Sequence, residues 1–416
     1  MRTFRYLIVG GGIAGTTAAE TLRKAEPEAT IAIISDEPHP LYSRVLLSKP
    51  AFLTGKQPFD TVWMKTPEWY VEQHIEFLGG RSAIALDASA KVLTLDGGET
   101  LGYEKLLLAT GVHPRLWTIP GAEKKGVHYL RSLDHAKGII EDLKDGKKHA
   151  VMIGSACVTF EVAEILRSLD IEVTEVMREN YFWEPALSQP EAEIVERHLS
   201  DHGVKMLRNA EVAEVLGSGE RVEGVLLKDG TKLACDMVFA FIGVVIPTEW
   251  LESSGIALEK GVVANEYLET SLPDVWAAGD IARFDDVILH DRVMMGNWMN
   301  AREQGHLAAE NILGAHKQFK LVSFHTSHGF GNMVGFAGDN RAIPDRTYIF
   351  RGDPTADSYG RITLRGNVIV GATMINRTPE LGTIVKLIAG QVDVSAKKSE
   401  LADANFDLKT LVPVVQ

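Results

Sequence analysis

The sequence predicts an α/β fold in which buried parallel strands end in glycine-rich turns. Short continuous apolar runs at residues 6–9 and 150–153 are typical of strands that are covered on both faces of a parallel sheet. A glycine follows each run, and a stretch of helical character comes next. A chain of 416 residues exceeds what one core usually organises, so we expect more than one domain.

Charge and hydropathy exclude two classes of partner. Lys and Arg number 43 against 56 Asp and Glu, and the net charge of −13 leaves no basic field for a phosphate backbone, so no nucleic-acid partner is expected. No apolar run reaches the roughly 20 residues that span a bilayer, so no membrane insertion is expected. Cys157 and Cys235 form no CxxC pair, which fits a reducing compartment and predicts a cytoplasmic location.

The first apolar run leads into a GxGxxG turn at residues 10–15. Gly10 permits the tight turn, Gly12 lets a pyrophosphate approach the backbone, and Gly15 lets the following helix pack on the strand. A second strand at residues 30–34 precedes Glu37, whose carboxylate can accept hydrogen bonds from a ribose. The pattern predicts a bound dinucleotide, and its predicted contacts are Gly10, Gly12, Ile13, Ala14, Gly15 and Glu37.

Two later strand ends indicate which dinucleotide is bound. Residues 106–108 run into Ala109-Thr110-Gly111, and residues 275–278 run into Gly279-Asp280. Both segments resemble signatures of the FAD-dependent pyridine nucleotide-disulfide oxidoreductases, which have two Rossmann-like, glutathione reductase-like domains. In that family the matching aspartate binds the ribityl chain, so the resemblance implies this role for Asp280. The implied FAD contacts are Ala83, Ala109, Thr110, Gly111, Gly279 and Asp280.

Residues 37–49 resemble one branch of that family, the NAD(P)H:ferredoxin and rubredoxin reductases, together with the flavin domain of nitrite reductases. Arg44 and Lys49 match the basic pair of the segment, and Glu161 matches a glutamate that pairs with the lysine. The resemblance implies that Lys49 and Glu161 are catalytic at flavin N5, where a cation stabilises the anionic reduced ring. The alternative for Lys49 is a solvated helix lysine. No cysteine stands near Ser43, so we expect no thiol-based mechanism.

A later helix also carries a family signature. Residues 297–305 resemble the W-x-x-A-x-x-Q-G helix, which implies that Asn297 and Trp298 face the pyrimidine end of the flavin. The alternative for Trp298 is core packing.

The second glycine turn departs from the dinucleotide fingerprint. Ala156 stands where a pyrophosphate would meet bare backbone, and Thr159 stands where the helix packs on the strand. Met177 occupies the usual position of the ribose-binding acid. We expect NAD(P)H binding here, with NADPH favoured if Arg178 meets a 2′-phosphate. The predicted coenzyme contacts are Gly154, Val158, Arg178 and Gly243.

The alternative is that the chain keeps this fold but has lost the nucleotide. Tyr181-Phe182-Trp183 would then be candidates to fill the groove, although a local aromatic cluster is the favoured interpretation of these residues.

Three domains are predicted. An FAD-binding domain comprises residues 1–119 and 246–318, and an NAD(P)H-binding-like domain, residues 120–245, interrupts it. Residues 319–416 alternate in the manner of antiparallel strands and resemble the α+β interface domain of the family. In relatives this domain can make a homodimer contact.

The predicted function is an FAD-dependent oxidoreductase that passes electrons from NAD(P)H through flavin N5 to an electron-transfer protein or a small acceptor. The alternatives are a flavoprotein that has lost its nucleotide and exchanges electrons with a partner protein or another substrate, and a flavin redox sensor. His325 and His328 either relay protons at a substrate site or lie in a polar loop, and we expect no metal there because too few ligands are present.

Overall fold

The computed structural model describes residues 1–413. Residues 414–416, which end the predicted interface domain, lie outside the described residues. The chain packs into two compact units. Unit 1 contains Met1–Ser43, Asp60–His113 and Val244–Ser323. Unit 2 contains Arg44–Phe59, Pro114–Gly243 and the chain from Phe324 onward.

The strands of the described chain, numbered in order, are β1 (Arg2–Val9), β2 (Ile31–Ser35), β3 (Ile75–Gly79), β4 (Ala83–Asp87), β5 (Val92–Leu95), β6 (Thr100–Leu108), β7 (His113–Pro114), β8 (Val127–His128), β9 (His149–Ile153), β10 (Glu172–Val176), β11 (Val204–Leu207), β12 (Val212–Leu216), β13 (Gly224–Leu227), β14 (Lys232–Ala234), β15 (Met237–Ala240), β16 (Val244–Val245), β17 (Val262–Ala264), β18 (Val275–Ala277), β19 (Ala282–Asp286), β20 (Asp291–Val293), β21 (Phe324–Gly329), β22 (Asn332–Gly338), β23 (Arg346–Asp353), β24 (Ser358–Arg365) and β25 (Val368–Ile375). The helices are α1 (Ile13–Ala25), α2 (Pro50–Leu53), α3 (Pro67–Glu72), α4 (Leu133–Lys144), α5 (Cys157–Ser168), α6 (Gln189–Asp201), α7 (Trp298–Ile312), α8 (Leu381–Ala389) and α9 (Lys398–Ala402).

Unit 1 is built on a sheet of order β3-β2-β1-β6-β5-β4, with β18 also paired to β6. Strands β3, β2, β1, β6 and β18 run parallel, and β4 and β5 are antiparallel additions. Every residue of β2 is buried, as is the carboxyl-terminal half of β1, which explains why both strands are continuous apolar runs. Helices α1 and α7 pack on each other beside this sheet.

Unit 2 contains a second parallel sheet, of order β11-β10-β9-β15-β8. This is the arrangement of a dinucleotide-binding fold, with β9 central and α5 following it. A small antiparallel sheet, β12-β13-β14, is part of the same unit.

The C-terminal part of unit 2 is an antiparallel sheet of order β21-β22-β25-β24-β23. Helix α8 packs on β25 and β22 and buries Leu381, Ile384, Leu387 and Ile388. His325 and His328 lie in β21, so the interpretation of this segment as a polar loop is wrong. Both side chains are exposed, and the ring of His325 stacks on Phe336 at 5.0 Å between centroids.

The aromatic residues after β10 belong to the core of unit 2. Phe182 is fully buried and Trp183 is 8% exposed. Phe182 meets Phe160 with 6.1 Å between ring centroids, and Trp183 meets Phe336 at 5.2 Å. These contacts support the local aromatic cluster over the groove-filling alternative.

Candidate functional site

The three glycines of the first turn have different surroundings, so a side chain at each position would have a different effect. Gly10 has φ +121°, and a Cβ there would lie 2.1 Å from the carbonyl oxygen of Ala109. A Cβ on Gly15 would lie 2.0 Å from the carbonyl oxygen of Gly10. A Cβ on Gly12 would meet no described atom within 4 Å. Gly10 and Gly15 are therefore required by the fold itself, whereas Gly12 leaves open space in front of the helix.

Helix α1 presents an uncapped end to that space. Its N-cap is Gly12, and within residues 1–413 no side chain caps the helix and no acidic residue stands in its first turn. The first backbone N–H groups, beginning at Ile13 and Ala14, therefore form a site that favours an anion such as a pyrophosphate.

Glu37 follows β2 at the same edge of the sheet. Its carboxylate accepts a hydrogen bond of 2.6 Å from the hydroxyl of Tyr42, which is 5% exposed. The side chain of Glu37 itself is only partly buried. A fixed, accessible carboxylate about 20 residues after the glycine turn is what ribose binding requires.

The two other predicted strand ends lie at this edge as well. Ala109 N donates to Val9 O at 2.7 Å, and Ala278 N donates to Leu108 O at 2.9 Å. The turns after β1, β6 and β18 are therefore neighbours. The hydroxyl of Thr110 is buried there and has no hydrogen-bond partner among residues 1–413.

Gly279 and Asp280 follow β18 in a single 3-10 turn. Gly279 has φ +80°, and its N–H donates to Gln304 Oε1 of α7 at 2.7 Å. Gly111 also has a positive φ, of 68°. Asp280 is partly exposed beside Gly296, whose Cβ would lie 3.8 Å from its carboxyl group.

The remaining predicted FAD residues of unit 1 are less tightly grouped. Ala83 begins β4, two residues after Arg81, whose N–H donates to Ser35 O at the end of β2. Asn297 caps α7, because its Oδ1 accepts from Asn300 N at 2.9 Å. Trp298 is 37% exposed, so the core-packing interpretation of this residue is wrong.

The residues at this edge fit FAD. Space for a pyrophosphate opens at Gly12, a buried hydroxyl without a partner stands at Thr110, and Glu37 and Asp280 supply carboxylates for sugar hydroxyls. The residues that would hold the cofactor therefore come from the ends of four strands, β1, β2, β6 and β18.

Unit 2 brings together the two residues that were predicted to be catalytic. Lys49 Nζ lies 2.8 Å from Glu161 Oε1, and their side chains are 33% and 11% exposed. This pairing favours the predicted Lys49–Glu161 pair over a lysine that contacts only solvent. Lys49 follows the 3-10 turn Arg44–Ser48, in which Arg44 Nη1 donates to Arg131 O at 3.0 Å.

Two serines that the sequence interpretation missed complete this cluster. Ser327 Oγ donates to Glu161 Oε1 at 3.2 Å, and Ser48 Oγ donates to Glu161 Oε2. Ser327 is 1% exposed. The sequence carries no periodic signal for Ser327, because the first three residues of β21 are all exposed and only Ser327 and Gly329 are buried.

The second glycine turn keeps its shape although two of its glycines are absent. Gly154 has φ +97°, and a Cβ there would lie 2.3 Å from Phe241 O. Ala156 is the N-cap of α5, Val158 is partly exposed in its first turn, and Thr159 is fully buried. The turn is thus preserved, and α5 accommodates a threonine where the fingerprint has its third glycine.

The other predicted coenzyme residues differ in their surroundings. Met177 is 1% exposed, so it cannot replace a ribose-binding acid. Arg178 is 78% exposed and pairs with Glu179 at 3.0 Å. Gly243 has φ +96° and lies beyond β15, next to the end of β9 that carries Gly154. The structure therefore places Gly154, Val158 and Gly243 around one sheet edge and leaves Arg178 on the surface.

The two cysteines are poor nucleophiles in this structure. Burial, with the nearby carboxylate of Glu161, raises the pKa of Cys157 to about 11. Burial likewise raises the pKa of Cys235 to about 12. A thiol mechanism needs the thiolate, so neither residue suits one at neutral pH. Within residues 1–413 there is no cluster of three or more His, Cys, Asp and Glu residues that could hold a metal, and no helix long and apolar enough to cross a membrane.

Comparison with known proteins identifies the family. The family model of the pyridine nucleotide-disulphide oxidoreductases matches residues 4–305. The chain belongs to the pyridine nucleotide-disulphide oxidoreductases. A reductase C-terminal model also matches this oxidoreductase, over residues 327–412.

Individual relatives place it among reductases. It is 31% identical, over 99% of both chains, to the 5,5'-dehydrodivanillate O-demethylase ferredoxin reductase subunit of Sphingobium sp. (strain NBRC 103272 / SYK-6). It is 30% identical, over 94% of its length, to the nitrite reductase [NAD(P)H] of Bacillus subtilis (strain 168), and it spans only 48% of that protein. The covalent putidaredoxin reductase–putidaredoxin complex matches with a TM-score of 0.91 and 27% identity over 99% of both chains.

These matches confirm the predicted fold class, family and cofactors. This oxidoreductase is an FAD-dependent enzyme that uses NAD(P)H. The alternatives of a flavoprotein without a pyridine nucleotide and of a redox sensor gain no support from these relatives.

Proposed function

We propose that this oxidoreductase transfers electrons from NAD(P)H, through bound FAD, to a small ferredoxin-type protein. The observation that carries the proposal is the similarity, over 99% of both chains, to a reductase captured in complex with putidaredoxin. The raised thiol pKa values of Cys157 and Cys235 support it, because electrons then leave the flavin directly and not through a disulfide.

The proposal assigns a task to each group of residues. The edge of unit 1 that carries Gly12, Thr110 and Asp280 holds FAD. When bound, this cofactor supplies an acceptor for the hydride of NAD(P)H and a donor of single electrons. The turn at Gly154 and the strand end at Gly243 hold the coenzyme. Residue-level roles at both sites are predictions.

Lys49 and Glu161 are proposed to serve hydride transfer. A positive charge favours a group that gains negative charge on reduction, and Lys49 supplies that charge. Glu161 holds the ammonium group of Lys49 in place through the 2.8 Å bond. The balance of the reaction is one NAD(P)H oxidised, two one-electron carriers reduced and one proton released.

We also propose a cytoplasmic location. Cys157 and Cys235 are both free thiols, which suits a reducing compartment.

An anaerobic mixing experiment tests the proposed function. The protein is mixed with NADH or with NADPH while the flavin absorbance is followed, and oxidised putidaredoxin is then added as the probe acceptor, with ferricyanide as a control acceptor. Rapid bleaching by one coenzyme followed by reduction of putidaredoxin supports the proposal and names the coenzyme.

Two results contradict it. Bleaching by dithionite alone would show that neither coenzyme reduces the flavin. Turnover with ferricyanide but none with putidaredoxin or with other purified ferredoxins would show that the acceptor is a small molecule.

A further inference from the structure

A chain of hydrogen bonds in unit 1 runs from the glycine turn to the backbone beside the ribose-binding carboxylate. Leu41 N–H donates to Tyr70 Oη at 3.1 Å, and Tyr70 Oη lies 3.4 Å from Thr16 Oγ1. Thr16 Oγ1 donates to the carbonyl oxygen of Gly11 at 3.1 Å. Because Tyr70 accepts from Leu41 and Thr16 donates to Gly11, the hydroxyl of Tyr70 must donate to Thr16.

The bond to Gly11 fixes the direction of the next N–H group. The carbonyl of Gly11 and the N–H of Gly12 belong to one trans peptide and point in opposite directions. Holding the carbonyl toward Thr16 in α1 therefore turns the N–H of Gly12 away from it. That N–H adjoins the open space at Gly12, where a pyrophosphate would bind.

Tyr42 extends the same chain to Glu37. Tyr42 follows Leu41 directly, and its hydroxyl donates to Glu37 Oε2 at 2.6 Å. Its ring is held edge-on against Trp63, with 6.2 Å between centroids and an interplanar angle of 84°. The carbonyl oxygen of Leu41 accepts from Met64 N at 2.9 Å, so both the N–H and the C=O group of Leu41 are held by hydrogen bonds.

Both tyrosines are deeply buried, which increases the energetic importance of their hydrogen bonds. Tyr42 is 5% exposed and Tyr70 is 2% exposed. Burial raises the pKa of Tyr70, so its hydroxyl stays protonated and remains a donor. A hydrogen bond to a carboxylate is among the stronger kinds, which suits Tyr42 to fix the orientation of Glu37.

From this arrangement we infer that Tyr42 and Tyr70 are positioning residues for the adenosine diphosphate half of FAD. Tyr70 orients the glycine turn that meets the pyrophosphate, and Tyr42 orients the carboxylate that meets the ribose. The two tyrosines set the spacing of these two contacts because Leu41 and Tyr42 are adjacent in sequence. The inference rests on the assignment of the ribose to Glu37.

Tyrosine-to-phenylalanine variants test it, because they remove a hydroxyl and keep the ring. FAD is removed from each protein, and the dissociation constants for FAD and for ADP as a competitor are measured. We expect Y42F and Y70F to weaken both ligands about tenfold, the scale of one lost hydrogen bond to a charged or buried group. Thermal unfolding of the apoproteins checks that the fold is retained.

Tyr103 supplies a matched control. It is 3% exposed, and its hydroxyl has no hydrogen-bond partner among residues 1–413. It lies in β6 opposite Phe4, at the far end of the strand from Ala109. Y103F should therefore leave FAD and ADP binding unchanged.

Two results overturn the inference. Y42F and Y70F behaving like Y103F would show that the hydroxyls position nothing. Weaker FAD binding with unchanged ADP binding would place the effect outside the adenosine diphosphate half.

In an E37Q background Y42F should add little, because the two residues act as one unit. None of these measurements uses NADH, NADPH or an electron acceptor, so failure of this inference can be distinguished from failure of the proposed function.

Discussion

Ser327 Oγ lies 3.2 Å from Glu161 Oε1, although the two residues are 166 positions apart in the sequence. Glu161 also binds Lys49 and Ser48, so three donors from two distant segments converge on one carboxylate. Removing the hydroxyl at Ser327 leaves Glu161 and its partner Lys49 less constrained.

We predict that S327A slows flavin reduction at saturating NAD(P)H about tenfold, with little change in KM, because a hydrogen bond to a charged group is lost while the residues of the coenzyme turn stay unchanged. Stopped-flow measurement of the flavin band checks this. The control is T326A, since Thr326 is exposed on the neighbouring position of β21. Equal rates in the two variants would contradict the prediction.

Gly12 and Gly15 should respond differently to the same small substitution. In G12A the added methyl group meets no described atom within 4 Å and the φ of −73° suits alanine, so the apoprotein should lose only about 0.5 kcal/mol of unfolding free energy, because alanine is a poorer N-cap than glycine. FAD binding should weaken at least tenfold, because the methyl group occupies the approach of the pyrophosphate.

In G15A the methyl group would lie 2.0 Å from Gly10 O, so the apoprotein itself should lose about 1–3 kcal/mol of unfolding free energy. Chemical denaturation of both apoproteins, with FAD titration of each, separates the two effects. A loss of stability in G12A as large as that in G15A would show that the role of Gly12 is structural.

Ala156 offers a gain-of-function test of the coenzyme turn. We predict that A156G lowers the KM for NAD(P)H several-fold and leaves kcat unchanged, since a glycine removes the methyl group from the approach of the pyrophosphate. Glycine is also the better N-cap for α5, so the fold should not suffer. Steady-state kinetics with both coenzymes check this, and an unchanged KM for both would mean that the pyrophosphate does not contact residue 156.

Glu175 should make the stability of the protein depend on pH. This residue of β10 is fully buried, and neither carboxylate oxygen has a partner among residues 1–413. Burial and then the charge of Glu196 raise the pKa of Glu175 well above its usual value of 4.5, while Arg208 opposes the shift and Glu179 adds to it.

The native state therefore holds a proton that the unfolded chain has already lost. The extra proton on Glu175 stabilises the native state. This stabilisation is fully present below about pH 4.5, and it is lost as the pH rises toward the raised native pKa. E175Q should remove this slope, whereas E193Q, at an exposed position of α6, should keep it. Denaturation at several pH values measures both, and identical slopes for E175Q and the wild type would contradict the prediction.

Cys157 should be dispensable for electron transfer. Its pKa of about 11 leaves almost no thiolate at neutral pH. We predict that C157S is reduced by NAD(P)H at close to the wild-type rate, which stopped-flow mixing measures. A large loss of the reduction rate in C157S would indicate that a thiol takes part in electron transfer.

The sequence predicted the parts of the site that depend on strand burial and on the backbone conformation of the turns. Strands covered on both faces are continuous apolar runs, and the turns after them need glycine, so Gly10, Gly111, Gly154 and Gly279 could be found without a structure. The predicted helix after the first glycine turn is present as α1, although it begins at Ile13, inside the GxGxxG turn.

Contacts between distant segments had no such signal. Nothing near Ser327 marks it as a partner of Glu161, and its histidine-rich surroundings suggested a polar loop as readily as the strand β21. The bond of Tyr42 to Glu37 spans only five residues but depends on a turn without periodicity. Side-chain pairings of this kind follow from tertiary packing, which a single sequence does not reveal.

The interleaving of the two units affects how the protein is made. Strand β18 pairs with β6, so Val275 must be synthesised before it can lie beside Leu106. At 5–20 residues per second the ribosome needs roughly 8 to 34 s for the stretch between them. The sheet edge that carries Asp280 is therefore incomplete for most of translation, and FAD should be taken up late, after the first glycine turn has long left the ribosome.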